Sequence, residues 1–208
     1  MSDTATRLRL DPGRTALIIQ DMQNDVVTEG GAFADAGPAA HAKSQNTVEN
    51  LVRLADALRA SGGAVIHVWY MVEKGCRGQA TNAPLFQGLK DSGAMERGSW
   101  GAAPCAGLEP QEGDFVVEKM RMNPFYGSTL QTILQGLGIT AVISGGALTN
   151  MAVEHTARHA ADAGYEVVMP LDGTATFNDD WQRAAFEYAL ANVSTIATCD
   201  EIIAALQR

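Results

Sequence analysis

The feature that most constrains this chain is a repeated alternation of short apolar, β-branched runs with stretches of helical spacing. Residues 15–21 (TALIIQD) read as a buried strand that ends on a carboxylate. Residues 46–60 carry apolar side chains three and four apart, so they read as a helix, stopped by Gly62 and Gly63. Further strands are expected at 64–70 (AVIHVWY), 114–119 (DFVVEK), 139–144 (ITAVIS), 166–170 (EVVMP) and 194–198, with helices at 128–137, 150–163, 179–192 and 200–207, the last capped by Asp200. Strand–helix alternation of this kind builds βαβ units, whose crossovers put helices on both faces of a parallel sheet. The expected architecture is one Rossmann-like, three-layer α/β/α domain over residues 1–208 with roughly six parallel strands. In such sheets ligands sit beyond the carboxyl ends of the strands, which directs attention to Asp21, Lys119 and Gly145.

Composition narrows the class of partner. The 208 residues suit one hydrophobic core, and with 46% hydrophobic and 19% charged residues the chain is globular. A net charge of −9 and a pI near 4.8 repel phosphate backbones and anionic lipid, so a small molecule is the expected partner rather than nucleic acid or membrane. Residues 1–12 read as an N-terminal extension without an export signal. Cys76, Cys105 and Cys199 form no CxxC spacing and leave one cysteine over, so neither a disulfide framework nor a zinc site is expected. A cytoplasmic protein is the expectation. Residues 71–113 are rich in Gly, Pro and polar residues and are read as an active-site cover or an oligomer contact.

Three segments can carry chemistry. Asp21, at a strand end, can serve as general acid or base or simply cap the next turn. Lys119 ends another strand, where a cation beside Asp21 would keep that carboxylate ionised and steady developing negative charge; otherwise it is a solvated lysine. In residues 144–154 (SGGALTNMAVE) a strand ends, two glycines permit close backbone approach and a helix begins near Asn150. Free N–H groups at such a helix start suit an oxyanion hole, and an ordinary β–α turn with Thr149 or Asn150 as cap is the plain alternative.

Together these segments resemble the isochorismatase-like cysteine hydrolases over nearly the whole chain, from about Thr15 to Leu206. TALIIQDMQND resembles the first strand with its catalytic Asp, here Asp21. VVEKMRMNPFYGSTL resembles the Lys motif, with Lys119, Phe125 and Ser128 in step. SGGALTNMAVEHTARHAADAGYEVVMP resembles the nucleophile segment, commonly G-x-x-T-N-x-C-V-E-x-T-x-R-x-A. The departure from that pattern is Ala152, which stands where the family carries cysteine, and a methyl group is no nucleophile. The sequence leaves open whether Ala152 is native or a replaced cysteine.

The resemblance implies hydrolysis of an amide or carbamoyl C–N bond by an Asp21–Lys119 pair, with residue 152 as the nucleophile position and a cis peptide before the Thr, at Leu148–Thr149, shaping the oxyanion hole. Thr149–Asn150 is similar to the amide-hydrolysing branch. A cysteine-independent hydrolase using Asp21 as acid or base, and a non-catalytic small-molecule binder, stay open beside it. Asn123, Phe125, Tyr126, Trp69 and Asn150 are the expected pocket residues, with Tyr70 and Trp100 as further apolar wall. No cofactor is expected. His67 lacks the D-x-H pattern of the metal-dependent relatives, and His155 and His159 read as a surface face. A homo-oligomer is the family expectation.

Overall fold

The computed structural model describes residues 8–207; the first seven residues of the N-terminal extension, and Arg208, lie outside the described residues. Strands β1 (Thr15–Gln20), β2 (Ala64–Tyr70), β3 (Phe115–Lys119), β4 (Ala141–Ala147), β5 (Glu166–Pro170), β6 (Thr174–Ala175) and β7 (Thr195–Ala197) form one sheet. Its order is β3-β2-β1-β4-β5-β7, with β6 beside β4, and every pairing is parallel. The sheet therefore has seven strands rather than six: two residues are too short to show a periodicity, yet Thr174 and Ala175 pair with Gly146 and Ala147.

The helices are α1 (Asn24–Val27), α2 (Pro38–Ser44), α3 (Thr47–Ala60), α4 (Pro84–Ser92), α5 (Leu130–Gly136), α6 (Glu154–Asp162), α7 (Asp179–Ala184) and α8 (Cys199–Leu206). Every residue of β1 is buried, because successive side chains feed two cores. Leu17 and Ile19 pack with Leu51, Leu54 and Leu58 of α3 and Ile202 of α8. Ala16 and Ile18 face the other layer, with Leu130 and Leu134 of α5, Ala157 and Ala160 of α6, and Phe186 and Leu190.

Local details differ from the sequence expectation. The helix expected over 150–163 opens as a π-type turn, Thr149–Val153, kinked at Met151. The one expected over 179–192 loosens into a π turn at Ala185–Ala189. Thr198, not Asp200, caps α8, in a reciprocal capping box with Glu201. Residues 71–113 contain α4, whose amphipathic face buries Phe86 and Leu89. No described helix is long and apolar enough to cross a membrane.

The strand order decides where a ligand can bind. From β1 the chain proceeds outward through β2 and β3, then returns to place β4 on the other side of β1. Crossovers on either side of that switch leave a crevice at the carboxyl ends of β1 and β4.

Candidate active site

Asp21 leaves β1 at the switch point. Its N–H still donates to Val68 O of β2 (2.9 Å), but its φ is +49°. That left-handed conformation, which Asp tolerates better than most residues, breaks the strand's alternation there. Lys119 is the last residue of β3, in register with Tyr70. Its Nζ reaches Asp21 Oδ2 at 2.7 Å, with Lys119 3% and Asp21 6% exposed. The Tyr70 ring lies under the ammonium, centroid 4.9 Å from Nζ, and its hydroxyl donates to Met120 O (2.6 Å), anchoring the ring. Asp21 Oδ1 is buried with no hydrogen-bond partner among the described residues.

Burial pushes the Asp21 carboxyl above the usual carboxylate range, and the Lys119 charge and hydrogen bond pull it part of the way back. Burial likewise lowers Lys119, with Asp21 opposing. Burial thus disfavours the charge on each group, and each partner's charge offsets part of that cost for the other.

The loop beyond β4 is brought to the same place by close packing. A Cβ on Gly146 (φ +105°) would lie 2.2 Å from Gln20 O, so only glycine lets β4 run this close to the end of β1. Gln20, fully buried, ties the two elements together. Its Nε2 donates to Ser144 Oγ (3.0 Å), and its Oε1 lies 2.6 Å from Thr156 Oγ1, which is also 2.9 Å from the carbonyl of Ala152. The carbonyl of Ala152, a fully buried residue, is thus linked through Thr156 to the side chain of Gln20, the last residue of β1. Thr149 donates to Gln182 Oε1 (2.6 Å), and Asn150 Oδ1 accepts from Thr176 Oγ1 (2.5 Å). The cis peptide is Ala147–Leu148, one residue earlier than Leu148–Thr149. The β6 pairing continues the sheet through Ala147, and the irregular backbone begins directly after that residue.

Some expected pocket residues serve other ends. Phe125 stacks on the His159 ring of α6 (4.3 Å, 11°), and Asn123 Nδ2 lies 3.1 Å from His159 Nδ1, so these two residues fasten the segment after β3 to α6. Tyr126 is 70% exposed. Among the described residues none of the three makes a hydrogen bond or ring contact with Asp21 or Lys119. The aromatic against the ammonium is Tyr70; Trp69, its neighbour in the strand, is directed to the opposite face by the strand's alternation. Trp100 lines an open groove of about 1040 Å³ with Asn24, Val27 and Lys43, which neither Asp21, Lys119 nor Ala152 borders.

Further buried polar residues follow β1. Gln23, fully buried, donates to Tyr70 O (2.9 Å) and Ala102 O (2.7 Å) and accepts from Tyr70 N–H (2.9 Å). The Asp25 carboxylate accepts from Ala32 N–H (3.1 Å) and Met95 N–H (2.7 Å). Together they draw residues 94–105 down beside α1. Their signal in the sequence is a cluster of polar residues following a buried strand. His67 is a buried strand histidine, as expected, but its partner is Asp114 (3.1 Å), itself clasped by Arg59 (2.7 and 3.0 Å). Among the described residues no three His, Cys, Asp or Glu side chains are grouped to hold a metal ion. The three cysteines are buried; burial pushes the Cys105 thiol up to about 12 and raises Cys76 and Cys199 as well, so none is a ready thiolate.

The fold and site define an α/β domain with a parallel sheet and a buried acid–ammonium pair at its switch point. The isochorismatase domain model matches residues 15–201, and the chain belongs to that family of hydrolases. It is 32% identical over 197 residues to a ureidoacrylate amidohydrolase RutB from Rhizobium rhizogenes, covering 87% of this chain and 78% of that one. With the RutB of Variovorax paradoxus it shares 33% over 213 residues, 94% of this chain and 82% of the relative. In fold it is similar to a cysteine hydrolase from Pseudomonas syringae pv. phaseolicola (TM-score 0.86, 24% identity, 100% and 99% covered). The N-carbamoylsarcosine amidase of Thermoplasma acidophilum is also similar (TM-score 0.70, 25% identity, 90% and 97% covered).

Proposed function

We propose that this site serves hydrolysis of an amide or carbamoyl-type C–N bond in a small molecule, with Asp21 and Lys119 as its catalytic pair and position 152 as the place of the nucleophile. The observation that carries the reading is the buried 2.7 Å contact between Asp21 and Lys119 at the carboxyl ends of β1 and β3. A cysteine at 152 would give its proton to Asp21, and the thiolate would attack the carbonyl carbon. Asp21 would return the proton to the departing nitrogen, and water would then cleave the thioester. Backbone N–H groups of residues 148–152 are the candidates for holding the oxyanion. With alanine there, the chain keeps the binding site and the proton-handling pair but cannot form that thioester. The amide-cleaving names of the RutB relatives and of the N-carbamoylsarcosine amidase support the bond type.

A second reading is favoured by the unpaired, buried Oδ1 of Asp21 and the upward shift of that carboxyl. A protonated Asp21 is a general acid able to assist direct attack by water, with no cysteine needed. The test compares the parent with Ala152→Cys on N-carbamoyl amino acids, primary amides and vinyl ethers, following ammonia or carbonyl release. Turnover gained only by the cysteine form supports the first reading. Turnover in the parent that vanishes in Asp21→Asn supports the second. Silence in both forms, with saturable binding, points instead to a binding protein. The same reading takes the chain as one domain, working in the cytoplasm as a homo-oligomer with residues 71–113 as cover or subunit contact, which sedimentation of the parent and of a variant altered in that segment tests.

A further inference from the structure

Asn150 is held from below by a buried polar chain that the reaction scheme does not use. Thr176 follows β6 directly and is fully buried, one residue past the β4–β6 pairing and so beneath the loop that carries Asn150. Its hydroxyl lies 2.5 Å from Asn150 Oδ1. That length belongs to an O–H···O bond rather than N–H···O. Among the described residues Oδ1 is also the one acceptor within reach of the Thr176 hydroxyl. A flipped Asn150 amide would leave a buried hydroxyl proton unpaired, which costs stability. The amide is therefore set with Oδ1 inward, and its Nδ2 has no protein partner among the described residues.

Thr176 is fixed in turn. Its backbone N–H donates to Nδ1 of His41 on α2 (3.1 Å), a histidine 5% exposed. An accepting Nδ1 requires the proton on Nε2, which faces Asp179 Oδ1 at 3.2 Å. Burial holds His41 below the ordinary histidine range, in keeping with a neutral ring. Backbone contact backs this up: a Cβ on Gly37, at the start of α2, would lie 2.5 Å from Phe177 O.

We propose that His41 and Thr176 are positioning residues that lock the Asn150 amide so that its Nδ2 offers N–H donors to an acceptor oxygen, carbonyl or carboxylate, of the ligand. The donor role rests on the reading that the ligand sits beside residues 149–152; the lock itself does not.

Nuclear magnetic resonance on the Ala152 chain tests both. Long-range imidazole spectra should show His41 neutral, protonated at Nε2 and bare at Nδ1. The Asn150 side-chain NH2 should be rigid in the parent and in Thr176→Ser, and mobile in the isosteric Thr176→Val. Titration with N-carbamoylglycine should move the Asn150 Nδ2 protons, with affinity about tenfold weaker in Thr176→Val, the worth of roughly one hydrogen bond, and recovered in Thr176→Ser. A His41 ring protonated at Nδ1, or an Asn150 amide equally rigid in Thr176→Val, overturns the lock. Probe binding that leaves the Nδ2 protons unmoved overturns the donor role alone. A parent that binds no probe while keeping tautomer and rigid amide overturns the donor role and counts against the proposed function.

Discussion

Removing one partner of the Asp21–Lys119 pair should turn stability into a steep function of pH, with opposite signs for the two partners. In Lys119→Met a 6%-exposed carboxylate keeps an Oδ1 without a hydrogen-bond partner among the described residues and loses the cation on Oδ2. An uncompensated buried charge of this kind costs about 3–5 kcal/mol. Asp21 escapes by holding its proton, so its native pKa rises further above the unfolded value of about 3.9. A raised native pKa contributes stability below the unfolded pKa that is lost as pH rises through the native one. At about 1.4 kcal/mol per pH unit, a carboxyl still protonated at pH 7 has cost roughly 4 kcal/mol, in agreement with the charge-burial figure. Asp21→Asn does the reverse: a lone buried Lys119 gives up its proton, and stability is lost as pH falls from the unfolded lysine value of about 10.4. In the parent the pair holds one proton between its members, as the unfolded chain does, so near neutrality it adds no slope. The double variant should be close to flat and recover most of either loss. Urea unfolding followed by tryptophan fluorescence between pH 5 and 9 measures all four proteins. Single variants within about 0.5 kcal/mol of the parent, with parallel pH profiles, would refute a buried, mutually dependent pair.

Other outcomes are expected. Gly146→Ala, which drives a Cβ to 2.2 Å from Gln20 O at φ +105°, should cost at least about 3 kcal/mol or prevent folding, read by thermal melting. Asp114→Asn takes the carboxylate from the buried His67 and leaves Arg59 with Asp56 alone among the described residues, and should destabilise by about 3 kcal/mol in urea titrations. Burial lowers His41 and His67, so the native protein refuses protons that the unfolded chain accepts. Stability present above the unfolded histidine value of about 6.5 should fall as pH drops toward the native ones, by up to about 1.4 kcal/mol per pH unit for each histidine. His67→Gln should flatten that profile, and an unchanged acid limb would show that His67 titrates freely.

Much of the architecture is written locally. The short apolar run at residues 16–19 reads as a strand covered on both faces, and the three-and-four spacing of residues 47–60 as a helix that buries one stripe. Strand ends on Asp21 and Lys119, and the small residues at 145–147, are equally visible in one dimension, as is the alanine at 152. Short-range signals lose force where structure depends on distant partners. Strand β6 exists only because the end of β4 offers it two residues to pair with. Phe125 is close to Lys119 in sequence, but its stacking on the His159 ring is set by three-dimensional packing.

What only the tertiary structure decided is how residues 98 apart become a 2.7 Å contact, and which buried groups hold the loop that faces them. Strand order, set by the crossovers, brings the ends of β1, β3 and β4 together, and no local periodicity encodes it. The polar residues there, Gln20, Gln23, Thr176, Gln182 and His41, carry no apolar pattern. Their roles appear once burial obliges each donor and acceptor to find a partner across the chain.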